Sequence, residues 1–274
     1  MLYDLKEGSV RLGGAETNWV AFGRGTRDLV MIPGLVLGLK GLHGAGASLA
    51  LSYRLFARSR RVWVFDHPAP LPEHVTVKEL ADDLAAAMRA VGIEKAEILG
   101  VSQGGMIAQY LALDHPEQVD ALVLAVTLCR NNPVAEDCIR RWSARARAGD
   151  TGALMRDVME SMYSEAYLKR SRLLLPLLGA SVKGADTGRF LTLAEACLSC
   201  DTAGRLGEIR CPTLVVGGEL DRVVTPAGSR ELAAGIGCAL HMYPEYGHAA
   251  YDEAKDFNRR VLDFLCANEE RSRT

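Results

Sequence analysis

With 274 residues, 49% hydrophobic and 24% charged, the chain has an ordinary globular make-up and room for one large α/β domain with an insertion, or for two small domains. Its formal net charge of −2, with no long run of like charge, gives nucleic-acid binding no electrostatic support. No stretch approaches the roughly 18 apolar residues of a membrane span, the segment Met1–Glu7 lacks the apolar run of a signal peptide, and seven irregularly spaced cysteines do not read as a secreted disulfide framework.

In chain order, Val10–Leu12 and Asn18–Phe22 read as short strands of a β-meander, divided by Gly13-Gly14 and ended by Gly23-Arg24-Gly25. Leu29–Ile32 is a continuous apolar run stopped by Pro33-Gly34, as suits a strand buried on both faces. A Gly-rich loop leads to a predicted helix over Leu49–Ala57, then to a strand over Arg61–Phe65 that ends in Asp66 and a Pro-rich loop. Val77–Val91 is a clear helix, with Leu80, Leu84, Met88 and Val91 on one face and Gly92 as its stop. Ala96–Leu99 reads as a buried strand, Gly105–His115 as a helix and Ala121–Val126 as another strand. Strands alternating with helices of this length imply βαβ units and a mostly parallel sheet.

The alternation breaks between about 131 and 206, where helices are predicted over Ala135–Ala148, Thr151–Tyr163 and Phe190–Cys200. It resumes at Pro212–Gly217, followed by a helix with Thr225 as N-cap and Pro226 at its first position. A strand over Ala239–Tyr243 and a last helix with Ala254, Phe257, Val261 and Phe264 on one face complete the chain. The expected layout is an α/β core of 1–130 and 207–274, interrupted by a helical insertion of 131–206.

Between the strand at Ala96–Leu99 and its following helix stands Gly100-Val101-Ser102-Gln103-Gly104, a G-x-S-x-G pattern in the strand–turn–helix setting of a nucleophile elbow. A serine hydroxyl needs a base, and the base needs an orienting acid. In an open parallel sheet both belong in loops beyond the carboxyl ends of strands, in the chain order Ser, acid, His. Of six histidines, His43, His67 and His74 precede the serine, His115 ends a helix and His241 lies inside a strand. His248, in the loop after Tyr243, fits both order and place. Asp221, a few residues past the strand Leu214–Val216, is the expected acid; Glu219 is its rival, and Asp252 suits the start of the last helix. An oxyanion would take N–H groups from Gln103 and from Leu35, with Val36 as the fallback for the second. His43-Gly44-Ala45-Gly46 looks like an esterase oxyanion motif but follows a loop; the other reading is that this loop folds over the site and His43 touches substrate. Cys197-x-x-Cys200 has no second pair or flanking histidine and reads as buried thiols rather than a metal or redox pair.

Together, Gly100–Gly105, His115–Val119 leading into Leu122–Leu124, Cys211–Leu214 leading to Asp221, and Gly247-His248 resemble the α/β-hydrolase superfamily over almost the whole chain. The nearest likeness is to the small serine hydrolases with a helical cap: enol-lactone hydrolases, carboxylesterases, proline iminopeptidases and meta-cleavage hydrolases. The resemblance implies Ser102 as nucleophile, Asp221 as acid, His248 as base and 131–206 as a cap. Two departures stand out: Pro33-Gly34 where many members carry His-Gly, and His67-Pro68-Ala69-Pro70 where a glycine-rich turn is usual. A serine at the elbow argues against the dehalogenase and epoxide-hydrolase branches, which use a carboxylate there.

In the cap segment Met155, Met159, Met162 and Tyr163, followed by Leu173-Leu174-Leu175, form an apolar stripe that reads first as packing and second as a pocket lining. Val36, His43, Met159, Met162 and Tyr163 are the substrate-binding candidates. Arg140, Arg141, Arg145 and Arg147 read as a solvated face, or as a device for capturing a substrate carboxylate. The expectation is a serine hydrolase of a small-molecule carboxylic ester or lactone, needing no metal or organic cofactor, in the cytoplasm, without nucleic-acid or membrane partners, as a monomer or homodimer. A carbon–carbon hydrolase or aminopeptidase with the same triad is the alternative within catalysis, and a non-catalytic ligand receptor is the alternative outside it.

Overall fold

In a computed structural model of the chain, residues 2–171 and 185–271 are described. Eight strands form one sheet: β1 (Lys6–Leu12), β2 (Ala15–Phe22), β3 (Arg27–Ile32), β4 (Arg60–Phe65), β5 (Ala96–Val101), β6 (Val119–Ala125), β7 (Thr213–Gly218) and β8 (Ala239–Tyr243). Their spatial order is β1-β2-β4-β3-β5-β6-β7-β8, antiparallel at β1/β2 and β2/β4 and parallel from β4 to β8. The helices are α1 (Gly46–Ser52), α2 (Val77–Ala90), α3 (Gln103–Asp114), α4 (Pro133–Arg147), α5 (Thr151–Met162), α6 (Glu165–Ser171), α7 (Thr187–Cys197), α8 (Thr225–Ile236), α9 (Ala250–Glu253) and α10 (Phe257–Arg271).

Alternate side chains of each strand leave opposite faces of the sheet, and both faces are covered. Val30 and Ile32 of β3 and Ile98 of β5 pack with Leu80 and Met88 of α2 and Ile107 of α3. Leu29 and Met31 of β3 and Leu99 of β5 pack on the other side with Val261 and Leu265 of α10. This is why the central strands read as largely apolar runs: every residue of β5 is buried, including Glu97, whose carboxylate pairs with Arg60 of β4. Helix α2 begins with a capping box, in which Thr76 and Glu79 exchange side-chain and backbone hydrogen bonds.

Between β6 and β7 the described residues are helical apart from turns and a single bridge, Arg130 with Asp201. Helix α6 had no clear sequence signal, and the run Leu173–Leu175 lies outside the described residues. Three local expectations change. The helix expected over Leu49–Ala57 is α1, starting at Gly46, plus a separate 3-10 turn at Phe56–Arg58. The last helix is split, with Ala254 at the break between α9 and α10. Thr225 does not cap α8: it is the first helical residue, at φ +67°, and Val224 precedes it. No side chain caps α8; just before it, the Asp221 carboxylate accepts from the Val223 and Val224 N–H groups and closes the turn that leads into the helix.

Candidate active site

The chain order of the sheet reverses at β3, which has β4 on one side and β5 on the other, and a crevice opens beyond the carboxyl ends of β3 and β5. The parallel register sets Ile32 opposite Gly100. Two residues further on, Gly34 therefore faces Ser102: a Cβ on Gly34 would lie 3.2 Å from the Ser102 Cβ.

Ser102 sits at φ +54°, ψ −119°, a conformation that costs a non-glycine residue on the order of 1–3 kcal/mol. The turn is fixed from three sides. The Ser102 N–H donates to the Ala125 carbonyl at 2.9 Å, its carbonyl accepts from Thr127 Oγ1 at 2.8 Å, and α3 begins at the next residue. The glycines are obligatory for sterics. A Cβ on Gly104 would come 2.0 Å from the Ile32 carbonyl oxygen, and one on Gly100 2.5 Å from that of Gly104.

The loops after β7 and β8 are tied together. Glu219 N–H donates to the Tyr243 carbonyl at 2.9 Å and Leu220 N–H to the Tyr246 carbonyl at 3.0 Å. At Gly218 a Cβ would lie 2.4 Å from the carbonyl oxygens of both Tyr246 and Gly247, so only glycine permits this approach. The pairing brings Asp221 and His248 together. His248 Nδ1 is 2.9 Å from Asp221 Oδ2, and His248 Nε2 is 2.9 Å from Ser102 Oγ. Asp221 and His248 are buried, at 5% and 2% exposure. Burial pushes the Asp221 carboxyl up, but the adjacent imidazole and the Val223 and Val224 N–H groups outweigh it and hold the group below its usual range. With Asp221 ionised, His248 Nδ1 is the protonated nitrogen and Nε2 is free to accept from the serine hydroxyl. The rival acid Glu219 pairs instead with Arg230, and Asp252 accepts from the Tyr163 hydroxyl at 2.8 Å.

Gln103 opens α3 and Leu35 opens the 3-10 turn Leu35–Leu39, so neither N–H has an acceptor within its own helix. Gln103 follows Ser102 directly, and Leu35 follows Gly34, which faces it. The Gln103 side chain is buried and reaches away from the elbow, donating to the Leu193 carbonyl at 2.6 Å and to Cys197 Sγ at 3.1 Å, both on α7. Cys197 and Cys200 are buried free thiols, and burial pushes Cys197 up to about 12.

A cavity of about 150 Å³ opens on Ser102 and His248. Among the residues expected to bind substrate, Val36 and Met162 line it, and Leu35 stands beside them. Met159 is buried in the helical core, Tyr163 is turned toward Asp252, and His43 is an exposed turn residue; none of the three lines this cavity. For Met159, position on a helix face gave its burial but not its neighbours. Tyr53, Trp142 and Tyr251 do line it and were not foreseen. Tyr251 stands three residues after His248, a proximity that could have suggested it; Tyr53 and Trp142 carry no local signal. The four arginines of α4 are on the surface, outside the cavity: Arg140 pairs with Glu136, and Arg141 with Asp137 and Asp157. Where β4 ends, Asp66 accepts from the Leu42 N–H at 3.0 Å and pairs with Arg189 of α7, which ties the helical segment to the sheet.

A family model for the alpha/beta hydrolase fold matches residues 30–147. A Caulobacter sp. (strain K31) protein provisionally named carbamate hydrolase RutD is 30% identical over 237 residues, covering 82% of this chain and 88% of that one. Among solved structures, the enol-lactonase from Burkholderia xenovorans LB400 superposes with a TM-score of 0.78 at 23% identity, covering 94% and 100% of the two chains. MGS-M2, an alpha/beta hydrolase from a Medee basin deep-sea metagenome library, superposes with a TM-score of 0.80 at 22% identity, covering 94% and 97%.

Proposed function

Given that this chain belongs to the α/β hydrolase fold family and is a hydrolase of that family, we propose that it cleaves a carboxylic ester or lactone of a small molecule through an acyl-enzyme on Ser102. The observation that carries this reading is the unbroken chain Asp221–His248–Ser102, with both contacts at 2.9 Å, ending at a strained elbow that faces a cavity.

In this mechanism Ser102 Oγ attacks the substrate carbonyl carbon while His248 Nε2 takes the hydroxyl proton. Asp221 stabilises the imidazolium and keeps its Nδ1–H aligned. The oxyanion receives the N–H groups of Gln103 and Leu35, donors of a kind that contribute about 10²–10³ in rate each. The tetrahedral intermediate collapses, the leaving oxygen takes the proton from His248, and a water activated by the same imidazole releases the acid. A lactone differs only in that its leaving alcohol stays attached to the acyl group. We read 131–206 as a cap over the core of 1–130 and 207–274. The seven free cysteines suit a reducing cytoplasm.

The test is labelling with a fluorophosphonate probe beside turnover of p-nitrophenyl acetate, a lactone and a carbamate. Labelling that disappears in Ser102→Ala supports the reading. Folded wild-type protein that takes no label overturns it.

A further inference from the structure

The cavity at Ser102 is walled by apolar groups, among them Leu35, Val36, Leu37 and Met162, and by two tyrosines, Tyr53 from the end of α1 and Tyr251 from α9. Three phenol hydroxyls near the core are partnered within the protein: Tyr110 donates to the Asp201 carbonyl, Tyr163 to Asp252 and Tyr243 to Asp256. Tyr53 and Tyr251 line the cavity at Ser102, and among the described residues neither hydroxyl has a protein hydrogen-bond partner. Both are partly buried, and burial, with Asp252 nearby, pushes the Tyr53 phenol up to about 12; burial, the neighbouring Tyr53 and Asp252 push Tyr251 up as well. Both shifts favour the neutral hydroxyl, which can donate a hydrogen bond. The indole Nε1–H of Trp142, on the same wall, is also buried without an acceptor.

A plain alkanoyl chain seated in this cavity would take these donors out of water, and a donor removed from water without a replacement acceptor costs about 1–3 kcal/mol. A ligand that supplies the acceptor removes that cost, and one that lacks it is rejected. Resting on the hydrolytic reading above, we infer that Tyr53 and Tyr251 are specificity-determining donors for a compact oxygenated substrate, one carrying an ether, hydroxyl or second carbonyl oxygen on the part seated in this cavity. The residues and the substrate class go together: two tyrosines lining the same cavity of about 150 Å³ as Ser102 suit a small molecule with an acceptor oxygen near its scissile carbonyl.

The test uses pairs of esters that differ only by oxygen for methylene. One pair varies the acyl group, p-nitrophenyl methoxyacetate against p-nitrophenyl butanoate. The other varies the leaving group, 2-methoxyethyl acetate against butyl acetate. The quantity read is the kcat/KM ratio within a pair, which cancels intrinsic reactivity when wild type is compared with Tyr53→Phe, Tyr251→Phe and the double variant. In at least one pair the oxygenated:plain ratio is expected to fall about tenfold in the double variant. Ratios unchanged in both pairs, in variants that still take one fluorophosphonate per chain, overturn the inference while leaving the hydrolase reading standing. Loss of labelling from the wild type instead overturns the hydrolase reading.

Discussion

The side-chain amide of Gln103 is anchored on the main-chain carbonyl of Leu193, 2.6 Å away in α7, so the residue that follows Ser102 is held by the helical segment as well as by the sheet. On the proposed mechanism the N–H of Gln103 faces the oxyanion, and its direction depends on this anchor. Gln103→Met keeps the backbone donor and roughly the side-chain size but releases the anchor. Small misplacements of this kind cost up to about 10² in rate. The variant should show kcat lowered about tenfold with KM within about twofold of wild type, with active sites counted by fluorophosphonate titration. A proportionate fall in titratable sites with unchanged kcat per site would mean that the anchor serves folding alone.

Gly104 and Gly34, both packed at the elbow, should respond differently to a methyl group. At Gly104 the added Cβ meets the Ile32 carbonyl oxygen at 2.0 Å, backbone that cannot yield, so Gly104→Ala should fail to give a cooperative thermal unfolding transition. At Gly34 the contact is 3.2 Å to the Ser102 Cβ, which a small shift relieves. Gly34→Ala should therefore fold, with a melting temperature within a few degrees of wild type, and lose about tenfold or more in kcat/KM, because the methyl group stands where the carbonyl must approach.

Arg189 and Asp66 join the helical segment to the end of β4, and Asp66 is only 7% exposed. Removing one partner of such a pair strands the other, at about 3 kcal/mol. Arg189→Met should lower the free energy of unfolding in urea by about that amount. Asp66→Asn with Arg189→Met should recover part of it, because the amide can still accept the Leu42 N–H.

His67 gives a pH dependence with a definite sign. Burial, reinforced by the Arg189 charge and opposed by Asp66, lowers its pKa from 6.5 to about 4. Unfolded, the imidazole takes up a proton near its ordinary pKa; folded, it stays neutral until about pH 4. Between those values the unfolded chain binds more protons, so stability falls as pH falls from about 6.5 to 4 and is fully present above that window. The loss is at most roughly 3 kcal/mol, less where solvent reaches the ring. His67→Asn should flatten this part of the stability–pH curve in urea titrations, and an unchanged slope would assign the loss to other groups.

The sequence by itself determined what is local or periodic. The largely apolar runs of β3, β5, β6 and β7 read as buried strands because a strand covered on both faces leaves little room for polar groups. The elbow at Ser102 was legible because its glycines answer a steric demand within five residues. Asp221 and His248 were legible because topology places such groups just past strand ends. The Thr225 cap was misplaced by one residue, because the helix starts at Thr225 itself after a turn closed by the Asp221 carboxylate, a contact made before the helix that the local pattern does not show.

Only the tertiary structure decided which side chains share the cavity with Ser102. Tyr53, Trp142 and Tyr251 are far apart along the chain and meet there, while Met159, Tyr163 and His43 stay outside it. The reason is physical. Helical spacing tells which face of a helix leaves water, but not which surface it meets. That choice is made by the register of β3 on β5, by the contact of α7 with Gln103 and by the loops bound at Gly218, each of which joins residues that no local pattern connects.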